Sequence, residues 1–191
     1  MQAVKLYQKY SGGRHWENHP TTYASDFASF LKKNLFSGTV VDVGCGTGRD
    51  VNFFNSNGIS AMGVDISQNE VELARKRFPE WDFDVQNAES LKFRDSSVDA
   101  FYMINVIHYV DARKAIAEAS RCLRPLGHFF VHFNLEIIDK DGNMDYNTDI
   151  QDAHLLMSKF KPLQQKIFVR IDKEPIEHNH RILEIIAQKT E

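Results

Sequence analysis

The sequence predicts an α/β fold, a three-layer arrangement in which a mostly parallel sheet lies between helices. Short runs rich in β-branched and aromatic residues alternate with stretches of helical period from residue 39 to about residue 133. The first of these runs ends in a glycine-spaced bend, as strand-to-helix turns of such sheets do. The rhythm then breaks near the C-terminus, where two strand-like runs follow one another and read as a hairpin.

The elements follow in order. "TTYASDFASFLKKNL" places Tyr23, Phe27, Phe30 and Leu31 along one stripe, so a helix precedes the first strand. "TVVDV", "ISAMGVD", "WDFDV", "VDAFYMI" and "GHFFVHF" are strand candidates. Ser67 with Glu70 makes a capping box that opens the helical "SQNEVELARKRF", and Pro79 closes it. Asp111 opens "DARKAIAEASRCL", in which Ile116, Ala119 and Leu123 mark one face and Pro125 and Gly127 mark the end. "LQQKIFVRI" and "HRILEIIAQK" flank "DKEPIEHN" as the hairpin. No repeat or low-complexity linker interrupts the chain, and one domain accounts for it.

Composition narrows the classes of function. At 191 residues with 42% hydrophobic content, the chain can fill a sizeable core. A net charge of −3 and a pI near 6.2 argue against a broad electrostatic grip on nucleic acid. Cys45 and Cys122 form no metal-ligand cluster and no disulfide framework. The start, "MQAVKLYQKY", lacks the apolar core of a signal peptide, and no apolar stretch is long enough to span a bilayer. The expectation is a cytoplasmic protein without a membrane partner.

The stretch "TVVDVGCGTGRD" carries the chemistry. Gly44, Gly46 and Gly48 fall where the first strand turns into a helix, so the backbone can bend tightly and a ligand can approach it. The spacing is Gly-x-Gly-x-Gly followed by Arg49. A dinucleotide fingerprint would put glycine where Arg49 stands, which disfavours a nicotinamide-dependent oxidoreductase. The next strand ends in Asp65, where an acid can accept hydrogen bonds from ribose hydroxyls or cap the following helix.

"VVDVGCGTGRD", "GVDIS", "NAESLKFRDSSVDAFYMINVIHYV" and "ASRCLRPLGHFFV" together resemble the successive motifs of class I S-adenosylmethionine-dependent methyltransferases, in order and spacing. The resemblance implies a Rossmann-like sheet of seven strands whose last strand is antiparallel, in agreement with the hairpin read independently. It divides the chain into an N-terminal helical cap (1–37), a cofactor-binding core (38–134), and a lid loop, helix and C-terminal hairpin (135–191). By that resemblance, S-adenosylmethionine is the cofactor, Asp42 with the main chain of Gly44 and Gly46 would hold its methionine portion, and Gly48 belongs to the same cofactor-binding bend. An acid among valines is costly unless it is paired, and the cofactor's ammonium or a loop amide would supply the partner. Asp65 would take the ribose, Ile66 would pack on the adenine, and Met103 would present its main chain to the methionine end. Asn87 and Ala88 sit where the family commonly has an acid followed by alanine; Asn87 can accept from the adenine amino group but lacks the charge, so weaker binding is expected there.

The methyl of such a cofactor is already activated on a sulfonium, and its transfer is an in-line displacement. The protein has to align an acceptor and exclude water, with a general base needed only if the acceptor must lose a proton. "MINVIHYV" has no proline where base-amino methylation uses an Asn/Asp-Pro-Pro-aromatic run, and neither cysteine stands where a cytosine-C5 nucleophile would. With the mild negative charge, a small-molecule acceptor is the expectation. A protein or RNA methyltransferase is the alternative, and a non-catalytic cofactor-binding scaffold or partner subunit is the reading from another class.

Strand topology narrows the histidines. His128 opens the fifth strand away from the site and reads as structural. His132 and Asn134 share a face near that strand's carboxyl end, and His178 and His180 lie at the hairpin turn. His132, Asn134 and His180 are therefore expected to converge at the pocket mouth, with His132 and His180 as the catalytic candidates; His108 would help to shape the site. No metal is expected, because His178, His180 and His132 lack an evident fourth ligand. "YQKYSGGRHWENHP" and the acidic "LEIIDKDGNMDYNTD" are candidate roofs, the latter as a mobile lid with a turn at Asp141-Gly142. An EF-hand reading of that stretch fails at Met144 and Ile150.

Overall fold

The computed structural model describes residues 22–190 together with Lys5 and Lys9. The N-terminal roof candidate lies outside the described residues, apart from Lys9. Helix α1 (Thr22–Lys33) precedes strand β1 (Val40–Val43), α2 (Arg49–Ser56), β2 (Ala61–Asp65), α3 (Gln68–Arg77), β3 (Phe83–Val85) and β4 (Val98–Met103). A 3-10 turn (Ile107–Tyr109) leads to α4 (Ala112–Cys122), β5 (Leu123–Asp139), β6 (Met144–Asn147), α5 (Ile150–Leu156), β7 (Phe160–Asp172) and β8 (His178–Lys189).

The sheet order is β3-β2-β1-β4-β5-β8-β7, with β6 paired to β5. Strands β1 to β5 pair in parallel, and β8 runs antiparallel to both β5 and β7. The expected seven-strand path with its antiparallel last strand is present, and β6 adds an eighth. The chain steps outward from β1 to β2 and β3 on one side, and the connection after β3 crosses back to place β4 on the other side of β1. That reversal opens a crevice beyond the strands' carboxyl ends.

Burial explains why β1 is almost wholly apolar. All four of its residues are buried because helices cover both sides of the sheet. On one face, Val41, Val43, Phe101, Met103, Phe129 and Val131 pack under α4 and α5. On the other, Val40, Tyr102 and Phe130 meet Phe27 of α1 and Phe54 of α2. The Phe27 ring lies 5.2 Å from that of Phe130 and 6.1 Å from that of Tyr102, contacts that add about 0.5–1.5 kcal/mol each to simple burial. The caps fall where the sequence places them: Ser67 Oγ accepts from the Glu70 amide, and the Asp111 carboxylate from the Lys114 amide.

Two expectations need correction. Strand β5 does not stop at Phe133 but runs to Asp139, because β8 pairs with it as far as Asp139↔His178. The segment expected as a mobile acidic lid is accordingly a β-hairpin of β5 and β6. Its turn lies at Gly142, at φ 84°, as the Asp141-Gly142 pair predicts. The acids that made it look solvated are partly engaged. Asp139 accepts from the Asp141 and Asn143 amides, and Lys9 Nζ bridges Asp139 at 3.2 Å and Asp145 at 2.6 Å.

Candidate functional site

The loop after β1 bends through three glycines at positive φ, 79° at Gly44, 52° at Gly46 and 82° at Gly48. They are glycine for different reasons. A Cβ on Gly44 would lie 2.4 Å from Val106 Cγ2, and one on Gly48 would lie 2.6 Å from the Phe83 ring, so both are required by packing. A Cβ on Gly46 would meet nothing within 4 Å among the described residues. Gly46 is therefore glycine for its positive φ and not for packing, and the space beside it is open among the described residues.

Hydrogen bonds hold the bend. The amides of Gly44 and Cys45 both donate to the Val64 carbonyl, at 2.8 and 3.1 Å. Asp65 ties the bend to the next element: one carboxylate oxygen accepts from the Gly46 amide at 3.0 Å, the other from the Ser67 amide at 2.9 Å. Asp65 thus braces the start of the following helix, and each oxygen keeps a further lone pair. Ile66 follows at 69% exposure, an apolar side chain presented beside that acid.

Asp42 is 3% exposed. Burial raises its pKa well above the ordinary carboxylate value; nearby Asp50 adds to the rise and Arg49 opposes it. Sequence reasoning missed Asp50, which is itself buried. The Arg49 guanidinium grips it from Nε at 2.9 Å and from Nη2 at 3.1 Å, and Tyr102 donates its hydroxyl at 3.2 Å. Two buried acids against one arginine leave the bend electron-rich, which suits a cationic ligand group such as an ammonium or sulfonium. The available signal was "GRD" itself, a second acid in the first turn of α2.

Further along the crevice, Ala88 and Met103 are buried. Asn87 is exposed, with Oδ1 accepting from the Glu89 amide at 2.9 Å.

The histidines separate. His180 and Asn134 meet as expected, at 3.0 Å from His180 Nδ1 to Asn134 Oδ1. Asn134 Nδ2 lies 2.7 Å from His108 Nδ1, so His108 joins them from the turn after β4. His132 does not converge there. With β5 extended to Asp139 it stands in mid-strand, and a bulge between Asn134 and Glu136 shifts the pairing beyond it. It faces Glu184 directly across the β5–β8 pair, Nε2 to Oε2 2.9 Å, and packs edge-on against the Tyr23 ring at 4.5 Å. Burial lowers its pKa, so a neutral Nε2–H donates to Glu184, which Lys166 reaches at 3.0 Å. His128, half-buried between the rings of Phe30 and Phe36, is structural as expected. Arg170 and Asp172 on β7, missed in the sequence, stand across the β7–β8 pair from His180 and His178.

Comparison with known proteins bears on this geometry. Residues 41–131 match the family model described as "Methyltransferase domain". The chain is 33% identical over 94 residues to O-methyltransferase resE of Aspergillus sclerotiorum, covering 45% of this chain and 36% of that protein. It is 32% identical over 133 residues to methyltransferase GfsG of Streptomyces halstedii, covering 65% of this chain and 47% of that protein. The chain thus spans less than half the length of these curated relatives. A solved structure of a SAM-dependent methyltransferase from Methanosarcina mazei superposes with a TM-score of 0.72 at 20% identity, covering 84% of this chain and 97% of that one.

The strand order with its antiparallel β8, the glycine bend pinned by the acid at the end of β2, and the matched segment converge: residues 41–131 are similar to a methyltransferase domain, on the fold of solved S-adenosylmethionine-dependent methyltransferases.

Proposed function

We propose that this chain transfers a methyl group from S-adenosylmethionine to a small-molecule acceptor. The observation that carries the reading is the bend at Gly46, open to a ligand, braced by Asp65 and backed by the buried Asp42. The bound cofactor supplies an electrophilic methyl on a sulfonium. Asp42 and the main chain of Gly44, Gly46 and Gly48 hold the methionine portion, where Asp42 meets the ammonium with a charge that burial otherwise disfavours. Asp65 accepts the ribose hydroxyls through the lone pairs not used by Gly46 and Ser67. Ile66 covers one adenine face, Asn87 and Ala88 meet its edge, and the Met103 main chain closes the methionine end.

The chain's remaining task is to align the acceptor and exclude water, and position alone supplies a large part of such a barrier reduction. His108, Asn134 and His180 form the polar wall beyond β4 and β5 where an acceptor would lie. Of the two catalytic candidates, His180 belongs to that wall, whereas His132 donates to Glu184 across the β5–β8 pair. The name of resE, an O-methyltransferase, favours an oxygen acceptor here as well.

Calorimetry with S-adenosylhomocysteine is expected to give one site, and Asp65→Ala to weaken it on the order of a hundredfold through loss of charge-assisted hydrogen bonds. A panel of small phenols, alcohols and carboxylic acids is then assayed for S-adenosylhomocysteine release beside a basic protein and an RNA. Turnover confined to either macromolecule would overturn the acceptor class, and absence of cofactor heat would overturn the whole reading.

A further inference from the structure

The tip of the β7–β8 hairpin brings Asp172, His178 and His180 together. Asp172 stands directly across from His178, and His180, two residues further along β8, shares the same face. Asp172 Oδ2 lies 3.3 Å from His180 Nε2 and 3.8 Å from His178 Nε2, and all three candidate ligand atoms fall within 4.8 Å of one another. Ligands bound tetrahedrally at ~2.0–2.1 Å stand about 3.3 Å apart, so the cluster is close to that spacing without any change of backbone.

Hydrogen bonding orients the rings. His178 Nδ1 is 2.6 Å from the Ile176 carbonyl oxygen, a group that can only accept, so that nitrogen carries the proton and neutral Nε2 keeps its lone pair. His180 Nδ1 meets Asn134 Oδ1, and Asn134 turns its Nδ2 to His108. That orientation makes His180 Nδ1 a donor too and leaves its Nε2 with a lone pair. A backbone carbonyl or side-chain amide behind the ring is the usual support of a metal-bound imidazole. His180 Nε2 is buried beside Asp172 Oδ2, at 3.3 Å, and makes no other hydrogen bond among the described residues. Candidate ligand atoms of two imidazoles and a carboxylate therefore lie within 4.8 Å of one another.

We propose that Asp172 Oδ2, His178 Nε2 and His180 Nε2 bind a divalent transition-metal ion of the zinc type, with an open fourth position. Two imidazoles and one carboxylate suit such an ion rather than magnesium or calcium, which take oxygen ligands. Three protein ligands leave room for water or for an acceptor oxygen, and the chain His180–Asn134–His108 links the ion to the turn after β4. Arg170 Nη2 also contacts Asp172 Oδ2, at 2.8 Å; it weakens the site by repulsion but leaves the oxygen a second lone pair. Among the histidines alone the site looks incomplete, since its third ligand is an aspartate on the preceding strand.

The test is equilibrium dialysis of the chelator-stripped full chain against zinc, with cobalt as a spectroscopic probe. One equivalent of zinc is expected at micromolar concentration, unaffected by millimolar magnesium, with cobalt giving visible absorption bands of a low-coordinate site. Asp172→Asn and His178→Gln should each weaken binding by more than the ~10–100-fold that supporting partners usually cost. His154→Gln, at an exposed histidine elsewhere, should not change it. Failure of the parent chain to take up zinc overturns the proposal without recourse to variants. So does undiminished uptake by Asp172→Asn and His178→Gln. Binding of S-adenosylhomocysteine, read separately in the presence of chelator, reports on the glycine bend alone, so the two readings can fail independently.

Discussion

The glycine bend and the histidine cluster lie on opposite sides of β4 and are built in opposite ways. The bend joins residues close in sequence: Gly44 and Cys45 bond to Val64, and Gly46 to Asp65. The cluster joins residues far apart, with His108 meeting Asn134, Asn134 meeting His180 and His132 meeting Glu184 across 52 positions. A site made by one strand-turn-helix unit depends on backbone conformation. A site made across a β-sheet depends on register, and one bulge redistributes its side chains.

The largest effect should come from the register-built side. Glu184 and His132 are both buried, and removing the acid leaves a polar ring without its partner. Glu184→Ala is expected to cost about 2–4 kcal/mol by denaturant unfolding, from a buried donor left unsatisfied and the cavity left behind. The acid's pKa is lowered in the fold, by His132 and Lys166 working against burial. Its stabilisation is therefore present above the ordinary carboxylate value and is lost as pH falls through the lowered one. The variant should flatten acid unfolding in that range. A loss below 1 kcal/mol would show that the pair does not hold the two strands.

On the bend, two glycine substitutions should part company. Gly44→Ala meets Val106 and a positive φ, and should cost about 2–4 kcal/mol of stability. Gly46→Ala bears only the backbone penalty, about 1–2 kcal/mol, yet places a methyl on the side proposed for the cofactor's approach. Thermal unfolding paired with S-adenosylhomocysteine calorimetry should find the first variant unstable and the second folded but weak in binding. If Gly46→Ala binds normally, the open side of the bend is not the cofactor's approach.

This contrast also explains what was legible in the sequence. The bend, Asp65 and the capped helices announce themselves because the residues that make them are neighbours. Asp42 was legible as a buried acid; its neighbour Asp50 was passed over because an acid early in a helix ordinarily reads as a favourable end charge. The hairpin was foreseen, but the length of β5 was not. "LEIIDKDGNMDYN" is acidic and polar, and only pairing with β6 and β8 makes it a strand. His132 was misplaced for that reason. Asp172 went unnoticed because nothing local ties it to His178; the hairpin register does.

Asp42 links the bend to pH. Its raised pKa means that part of the unliganded population is protonated below that value, and a bound ammonium favours the ionised form. Binding then releases a proton. Affinity should climb with pH by up to about tenfold per unit below the raised value and level off above it. Without ligand the sign reverses, and stability should fall as pH rises from the ordinary carboxylate value through the raised one. Calorimetry in buffers of different ionisation enthalpy would count the proton, and Asp42→Asn should remove the slope. An unchanged slope in that variant would assign the proton to another group.

The smallest effect tests the adenine edge, where the chain departs from the family's common acid. Asn87 is exposed, and its Oδ1 accepts from the Glu89 amide, an interaction that aspartate preserves without rebuilding the turn. Asn87→Asp should therefore leave stability nearly unchanged while strengthening acceptance from the adenine amino group. The gain in S-adenosylhomocysteine affinity should be about 0.5–1 kcal/mol, the increment from a neutral to a charged acceptor at a solvent-exposed position. High salt should erode that gain, because an exposed charge is screened, and it should leave the contribution of half-buried Asp65 largely intact. A gain that persists in salt, or no gain at all, would mean that residue 87 does not face the adenine, and the bend would then hold its ligand without help from that edge.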